Sequence, residues 1–211
     1  MKPIDHKIYL ASKSPRRREL LRQIGIEFEL LLLRDRTPRG PEVSEAVLPG
    51  EPADVYVTRV THEKADFAYK TMVWRKLPIR PILAADTTVV LEGRILGKPA
   101  DAAEAAEMLK SLSGHTHQVL TSVAVKYGEE IWQITQSSNV TFGNLADETI
   151  RAYCMTAEPY DKAGAYAIQG AAASFICAID GSYSGIMGLP LFETAQLLRK
   201  AGLRIMGCTD D

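Results

Sequence analysis

The sequence contains little cysteine and none of the spacings by which cysteine builds a stable scaffold. Its three cysteines, Cys154, Cys177 and Cys208, are far apart among 211 residues and form no C-x-x-C pair. A disulfide framework or a structural zinc site is therefore not expected. Reduced thiols are typical of the cytoplasm, where we expect this protein to be located.

Long apolar runs and an excess of charge of one sign are also absent. No stretch approaches roughly 18 consecutive apolar residues, so no transmembrane helix or membrane partner is expected. The first ten residues lack the apolar region of a signal peptide. The 25 Lys and Arg residues nearly balance the 26 Asp and Glu residues. This balance argues against a broad nucleic-acid-binding surface, although local basic clusters remain compatible with it.

Several motifs that would indicate a mechanism directly are missing. The chain has no Walker loop, no G-x-G-x-x-G, no G-x-S-x-G and no H-E-x-x-H. Its four histidines do not form a recognisable metal or triad pattern; His115 and His117 flank a single Thr, where exposure is expected. Composition and pattern alone therefore lead only to a globular protein with a candidate site for an anionic ligand.

Segments typical of strands and helices alternate without a regular βαβ repeat. This pattern predicts an α/β or α+β fold with a mixed sheet, in one domain over residues 1–211 with a tail at about 203–211. A Pro-, Gly- and charge-rich loop is expected at 34–53. Strands are predicted at 7–12, 81–93, 117–128 and 131–142 and at the end of 163–179, with a returning strand or turn at 94–99; helices are predicted at 14–25, 54–70, 101–114, 147–156 and 189–202.

Asp86 is an unusual residue for its surroundings, because it interrupts the apolar strand PILAADTTVVLEG. A carboxylate there is costly unless it is paired, hydrogen-bonded or bound to a metal. The sequence leaves two interpretations open: a functional carboxylate, or an aspartate at a strand end that caps a neighbouring loop.

Three lysines raise a similar question. Lys98 and Lys162 each stand beside or near glycine, which allows a backbone to approach a ligand closely, and lysine binds phosphates as a point charge. Lys64 falls on the apolar stripe of the helix predicted at 54–70. The alternative is that each is an ordinary solvated lysine.

The segment LASKSPRRRELL, residues 10–21, predicts a helix whose first turn has the unexpected charge. Ser14 and Pro15 are typical of an N-cap and a first helical position. Residues 16–18 are arginines, although the macrodipole favours acidic residues there. Because helix N-termini bind anions, we expect an anionic ligand; otherwise the arginines extend into solvent or pair with carboxylates such as Glu19.

Six motifs, taken together and in order, carry a resemblance to a known family: LASKSPRRRELL, AADTTV, ILGKP, LSGHTHQVLTSVAV, DKAGAYAIQG and GSYSGIMGLPLFET. From about Ile8 to Gly202 the chain resembles the Maf nucleoside triphosphate pyrophosphatases, also called septum-formation inhibitor proteins. The resemblance implies an elongated two-lobed fold like that of inosine triphosphate pyrophosphatases, with a mixed central sheet, flanking helices and a central cleft. It also implies hydrolysis between the α- and β-phosphates, a divalent cation (Mg or Mn) and, in many members, a homodimer.

The resemblance assigns roles to particular residues. Asp86 matches the catalytic carboxylate, which accepts a proton from the attacking water and helps to hold the metal; Glu45 matches a second metal ligand. Ser44 stands where the family commonly has Asp, which removes one carboxylate near the metal. Five residues match positions that hold phosphates: Ser12, Arg17, Lys64, Lys98 and Lys162.

The family has branches that differ in the base they accept. Arg16, Thr87 and Gln169 match the branch that hydrolyses dTTP and UTP, whereas the 7-methyl-GTP branch tends to have Trp, Gln and Glu there. A glutamine carboxamide can pair with the N3–H donor and neighbouring carbonyl of uracil or thymine. The alternatives are a 7-methyl-GTP pyrophosphatase and a regulator of septum formation that binds nucleotides without hydrolysing them.

Overall fold

A computed structural model of the protein describes residues 7–33 and 43–205. Some sequence-based expectations therefore lie outside the described residues: those for residues 34–42 of the predicted loop, for Cys208 and for the end of the tail. Of the described part of that loop, residues 43–52 contain no helix or strand.

The strands form one mixed seven-stranded sheet with the order β2-β1-β3-β5-β6-β7, and β4 pairs with β3. Strand β1 runs parallel to β2 and β3, and the remaining pairs are antiparallel. This confirms the predicted mixed sheet. The bounds are β1 (Ile8–Leu10), β2 (Phe28–Leu30), β3 (Ile82–Leu91), β4 (Arg94–Leu96), β5 (Thr116–Tyr127), β6 (Glu130–Phe142) and β7 (Ile176–Asp180).

Helices flank the sheet, and two of them begin where the sequence predicts. Ser14 accepts the N–H of Arg17, and Asp101 accepts the N–H of Glu104 at 2.9 Å. Each side chain satisfies a helix N–H group that has no intrahelical partner. The helices are α1 (Pro15–Gln23), α2 (Ala53–Trp74), α3 (Ala102–Leu112), α4 (Asp147–Cys154), α5 (Tyr183–Ile186) and α6 (Leu191–Lys200), with short 3₁₀ turns between 159 and 175. The described residues contain no helix long and apolar enough to cross a membrane.

Strand β3 is buried on both faces, which explains its nearly continuous apolar sequence. Its even-numbered residues, such as Ile82 and Ala84, pack in a cluster with residues of α2. Its odd-numbered residues, such as Leu83 and Ala85, pack in the larger cluster with α1, α3, α4 and α6. Because side chains alternate along a strand, Asp86 belongs to the α2 face and Thr87 to the opposite face.

Among the described residues, none pairs with the middle of one edge of β3. On the edge opposite β5, β1 pairs only with Ile82 and Leu83, and β4 pairs only from Val89 to Leu91. The sheet therefore has a gap where β1 has ended and β4 has not begun. Asp86 and Thr87 lie at this gap, so groups from both faces of the sheet can meet there.

Candidate functional site

A cleft of about 790 Å³ opens at the gap in the sheet. This volume is typical of small-molecule sites. Segments far apart in the sequence converge on it: the end of β1 with the start of α1, the middle of β3, the turn after β4 and the segment after α4. The structure places every site residue indicated by the sequence on its wall: Ser12, Arg16, Arg17, Glu45, Lys64, Asp86, Thr87, Lys98, Lys162 and Gln169.

Lys64 joins the two carboxylates of the cleft. Its Nζ lies 2.7 Å from Oδ1 of Asp86 and 2.6 Å from Oε1 of Glu45. On α2, Lys64 follows the buried Val60 by four residues, so the helical repeat directs it towards the sheet. Both predicted carboxylates therefore form ion pairs with one ammonium group, which explains how a charged residue is tolerated in β3.

Glu45 is held in place through its own backbone and through its neighbours. The hydroxyl of Tyr56 donates to the carbonyl oxygen of Glu45 at 3.1 Å. Burial raises the pKa of the Glu45 carboxyl, but the ammonium of Lys64, followed by Lys98 and Arg17, brings this pKa below its usual value. The Glu45 carboxyl is therefore anionic and interacts with the cationic side chains of the cleft.

A second ion pair fixes the segment that follows Glu45. Arg59 of α2 binds Glu51 through two hydrogen bonds, Nε to Oε1 at 2.6 Å and Nη2 to Oε2 at 2.8 Å. It also donates to the carbonyl oxygen of Ala46 at 3.0 Å. Hydrogen bonds from Arg59 and from the Leu48 N–H lower the pKa of Glu51 to about 2. This paired geometry attaches residues 46–51 to α2 and so positions Glu45.

Arg17 lies at the base of the cleft with three of its donors occupied by neutral oxygens. Its Nε donates to the carbonyl oxygen of Gly188 at 2.7 Å, Nη1 to Oγ of Ser12 at 3.2 Å and Nη2 to Oγ1 of Thr87 at 3.2 Å. Burial lowers its pKa, and the charge of Asp86 opposes this. Within residues 7–33 and 43–205, Arg17 forms no ion pair. A partly buried guanidinium that lines a cleft without a paired carboxylate is suited to bind an anion.

Thr87 supports Arg17 as part of a short chain of hydroxyl groups. Oγ1 of Thr121 lies 3.0 Å from Oγ1 of Thr87, and the Thr121 hydroxyl donates to the carbonyl oxygen of Gly185 at 2.8 Å. Thr87 and Thr121 are direct partners in the register of β3 and β5. The hydroxyl of Thr87 thus fixes the guanidinium, while its predicted role in choice of base stays a prediction.

Arg16 and Lys162 add positive charge on the other side of the cleft. Burial lowers the pKa of Arg16, opposed chiefly by the charge of Glu158. Burial, followed by the repulsion of Arg16, lowers the pKa of Lys162 to about 8. Lys162 also contacts the carboxylate of the exposed Asp161. Cations that repel one another in this way are stabilised when a polyanion binds.

The two lysine-bearing loops are held together by their backbones. The N–H of Gly164 donates to the carbonyl oxygen of Gly97 at 3.0 Å. Gly164 has a φ of +69°, and a Cβ there would lie 2.9 Å from a methyl group of Val89. Only glycine fits this close approach of the backbone to β3. The contact sets Lys98 and Lys162 on neighbouring turns of the cleft wall.

The part of the cleft that carries Gln169 is more apolar. Gln169 is exposed, and the three residues before it, Tyr166 to Ile168, also line the cleft. Behind this wall the hydroxyl of Tyr166 forms a hydrogen bond of 2.7 Å with Nε2 of His117, which is only 1% exposed. The expected exposure is therefore wrong for His117, because its side chain faces the core from β5, whereas His115 is exposed. The cleft therefore has a cationic half and a half that combines apolar side chains with one carboxamide.

The donor chemistry of Glu45 and Asp86 fits a magnesium or manganese ion. The described part of the chain has no group of three or more His, Cys, Asp or Glu side chains that could hold a metal alone. Mg²⁺ is commonly held by one or two carboxylates together with phosphate oxygens and water. Two carboxylates that already share one cation, Lys64, meet this requirement when a triphosphate supplies further oxygens.

Several residues that build the site are not indicated by the sequence. Thr121 and Gly188 bind the Arg17 network, Tyr56 holds Glu45, and Glu158 faces Arg16 and Lys162. Thr121 and Gly188 fall inside motifs that carry the family resemblance, which is the signal that points to them. Tyr56 shares the helical stripe of Lys64. Glu158 has no comparable signal, because its contacts depend on the loop conformation.

Comparisons with known proteins agree with the resemblance. A chain named dTTP/UTP pyrophosphatase from Aromatoleum aromaticum is 56% identical over 203 residues, covering 96% of this chain and 98% of that one. Proteins of the same name from Nitrosomonas europaea and Burkholderia orbicola are 52% and 56% identical, covering 96% and 92% of this chain and 98% and 92% of theirs.

Structural and family comparisons complete these findings. The Ham1 protein of Staphylococcus aureus shows a distant likeness, with a TM-score of 0.43 and 15% identity over 67% of this chain and 72% of that one. The family model described as "Maf-like protein" matches residues 7–201. Because this match spans nearly the whole chain and the relatives are more than half identical, the chain belongs to the Maf family.

Proposed function

We propose that this protein is a nucleoside triphosphate pyrophosphatase that hydrolyses UTP and dTTP to the monophosphate and pyrophosphate. The observation that carries the proposal is the partly buried guanidinium of Arg17, which lines the cleft without an ion pair in the described residues. The names of relatives that are 52–56% identical support the choice of substrate.

The cationic half of the cleft suits a triphosphate. Arg17 offers the guanidinium donors that its three protein contacts leave free, and guanidinium binds phosphate oxygens in paired fashion. Arg16, Lys98 and Lys162 line the same cleft. Charges fixed in this way before the substrate arrives stabilise the charge that develops on the leaving pyrophosphate.

Asp86 is the group placed to accept a proton from water. In this reaction the water oxygen bonds to the α-phosphorus, the bond from that phosphorus to the α–β bridging oxygen breaks, and pyrophosphate leaves with the bond electrons. The proton of the water passes to a carboxylate oxygen of Asp86. Lys64 contacts Oδ1 at 2.7 Å, so the ammonium holds this carboxylate in orientation.

A divalent cation bound by Glu45 and Asp86 would neutralise phosphate charge and polarise the phosphoryl group. Lys64 then has to share the two carboxylates with that cation. Its side chain is well placed to do so, because both ion pairs lie at the cleft surface and the Glu45 side chain is half exposed.

Gln169 is the candidate group for reading the base. Its carboxamide has one acceptor and two donors, which match the carbonyl and N3–H of uracil and thymine. A base with another pattern would leave polar groups unpaired in a partly apolar cleft, which reduces its turnover.

The test is release of pyrophosphate from UTP, dTTP, CTP, ATP, GTP and 7-methyl-GTP with Mg²⁺ or Mn²⁺ and with a chelator. The proposal requires UTP and dTTP to have the highest kcat/KM and the chelator to abolish turnover. A preference for 7-methyl-GTP would instead identify the protein as a 7-methyl-GTP pyrophosphatase. Tight nucleotide binding without any turnover would instead support a non-catalytic regulator.

A further inference from the structure

Glu158 does not line the cleft, yet it binds the backbone immediately after Gln169. The N–H of Ala171 donates to Oε2 of Glu158 at 3.1 Å, and the hydroxyl of Tyr153 on α4 donates to Oε1 at 2.8 Å. The N–H of Ala172 lies 3.5 Å from Oε1. One carboxylate thus links α4 to the segment that carries the candidate base-reading residue.

Gly170 allows the carboxylate to lie against this segment. A Cβ built on Gly170 would overlap the carboxylate group of Glu158. Packing therefore explains the glycine next to Gln169, because the Glu158 carboxylate occupies the space that a Cβ would need. The contact brings the Glu158 carboxylate directly against the residue that follows Gln169.

The same segment contains a backbone conformation that needs support. Ala165 is fully buried with a φ of +60°, a left-handed conformation that strains a non-glycine residue. Such conformations persist where surrounding contacts enforce them. The N–H groups of residues 171 and 172 donate to Glu158, and the Gly164 N–H donates to Gly97 at the other end, so these bonds hold the segment between them.

Glu158 also balances the two cations nearest to this segment. Its negative charge opposes the effect of burial on the pKa values of Arg16 and Lys162. Removal of this charge leaves the cleft more positive. Phosphate binding should therefore survive the loss of Glu158, whereas the position of Gln169 should not.

We propose that Glu158 is a positioning residue that fixes Gln169 and thereby sets the base selectivity of the cleft. The inference rests on the proposed function. Glu158 lies outside the cleft and acts through the hydrogen bonds that it accepts from residues 171 and 172 and through its contact with Gly170. Recognition of the base is then separate from the binding of phosphates.

The test is Glu158→Gln. The amide can keep one acceptor for Tyr153 but presents an N–H group to the N–H of Ala171, which displaces the segment. The ratio of kcat/KM for UTP to that for CTP, a pyrimidine with the opposite donor and acceptor pattern, should fall about tenfold, while the inhibition constant of inorganic pyrophosphate stays unchanged or decreases. Glu148→Gln, which removes an exposed charge from the preceding helix α4, is the matched control and should leave both quantities unchanged.

An unchanged UTP to CTP ratio would overturn the inference. Equal losses for both nucleotides together with weaker pyrophosphate inhibition would overturn it as well, because they indicate general damage to the cleft. Binding of UMP and CMP, measured by calorimetry, gives the same selectivity ratio without turnover. If the wild-type protein hydrolyses no nucleotide, the proposed function is refuted, but the binding measurements still decide whether Glu158 sets base selectivity.

Discussion

Nζ of Lys64 lies 2.7 Å from Oδ1 of Asp86, and the two side chains are only 14% and 13% exposed. The same nitrogen lies 2.6 Å from Oε1 of Glu45. One lysine therefore stabilises two carboxylates that would otherwise repel each other across the cleft. The stability of the protein therefore depends on a cation between these two carboxylates.

Replacement of Lys64 by Met should destabilise the protein most strongly in the absence of metal. Loss of the ammonium leaves two partly buried carboxylates facing each other, at a cost of about 1–2 kcal/mol after allowance for their access to solvent. Mg²⁺ should restore more stability to Lys64→Met than to the wild type. Thermal unfolding in EDTA and in Mg²⁺ measures both effects, with Lys70→Met, an exposed lysine of the same helix, as control. Equal responses to Mg²⁺ in all three proteins would contradict this account.

Replacement of Thr87 by Val should weaken nucleotide binding more than the chemical step. The change removes the oxygen that accepts Nη2 of Arg17 while keeping the size of the side chain. A lost hydrogen bond to a charged group costs about 1.5 kcal/mol, or about a tenfold increase in KM. Steady-state kinetics measure this, and Thr116→Val at the exposed start of β5 is the control. A normal KM with a low kcat would contradict the assigned role of Thr87.

Replacement of Gln169 by Glu should lower kcat/KM for UTP and dTTP at least tenfold, because the carboxylate lacks the amide donors. The free energy of unfolding should hardly change, since Gln169 is exposed. Kinetics with each nucleotide and urea unfolding separate the two effects. Gln118→Glu, an exposed position on β5, controls for the added charge. Retention of the UTP preference would remove Gln169 from base recognition.

His117 should make the protein sensitive to acid. Burial lowers the pKa of its imidazole to about 4, below the ordinary value of 6.5. In the unfolded chain His117 takes up a proton as the pH falls through 6.5, whereas the folded protein resists protonation until about pH 4. The stability contribution is therefore complete above pH 6.5 and is lost as the pH falls towards 4, by about 3 kcal/mol in total.

Urea unfolding between pH 7 and 4 measures this contribution, with His117→Gln as the comparison. The variant should lose about 3 kcal/mol less stability over this range, whereas His115→Gln, at an exposed histidine, should behave as the wild type. If the free energy of unfolding falls equally with pH in all three proteins, His117 does not control the loss of stability in acid.

Local signals predict the local parts of this fold well. Ser14 and Asp101 cap their helices because their side chains reach N–H groups only three residues away. The stripe that places Lys64 towards the sheet follows from the helical repeat alone. The sequence does not indicate β2 or α5, because three- and four-residue elements carry too little periodic pattern.

The long-range parts of the site could not be predicted from local pattern. Arg17 reaches the carbonyl oxygen of Gly188 across 171 positions in the sequence, and no spacing rule encodes such a contact. The gap in the sheet depends on where β1 ends and β4 begins along β3. The resemblance to the family supplied the site residues instead. The homodimer, the cytoplasmic location and the single domain over 1–211 stay predictions.

The most direct test of the central claim is pyrophosphate release from UTP by Asp86→Asn with Mg²⁺ or Mn²⁺. Asparagine keeps the shape of the side chain but cannot accept the proton of the attacking water, and loss of a general base typically costs a hundredfold or more, roughly 10²–10⁴. Asp180→Asn, at an exposed aspartate of β7, controls for the loss of charge. The account predicts turnover reduced at least about 100-fold in Asp86→Asn alone, with UTP still bound. Turnover close to that of the wild type in a folded Asp86→Asn protein would contradict it.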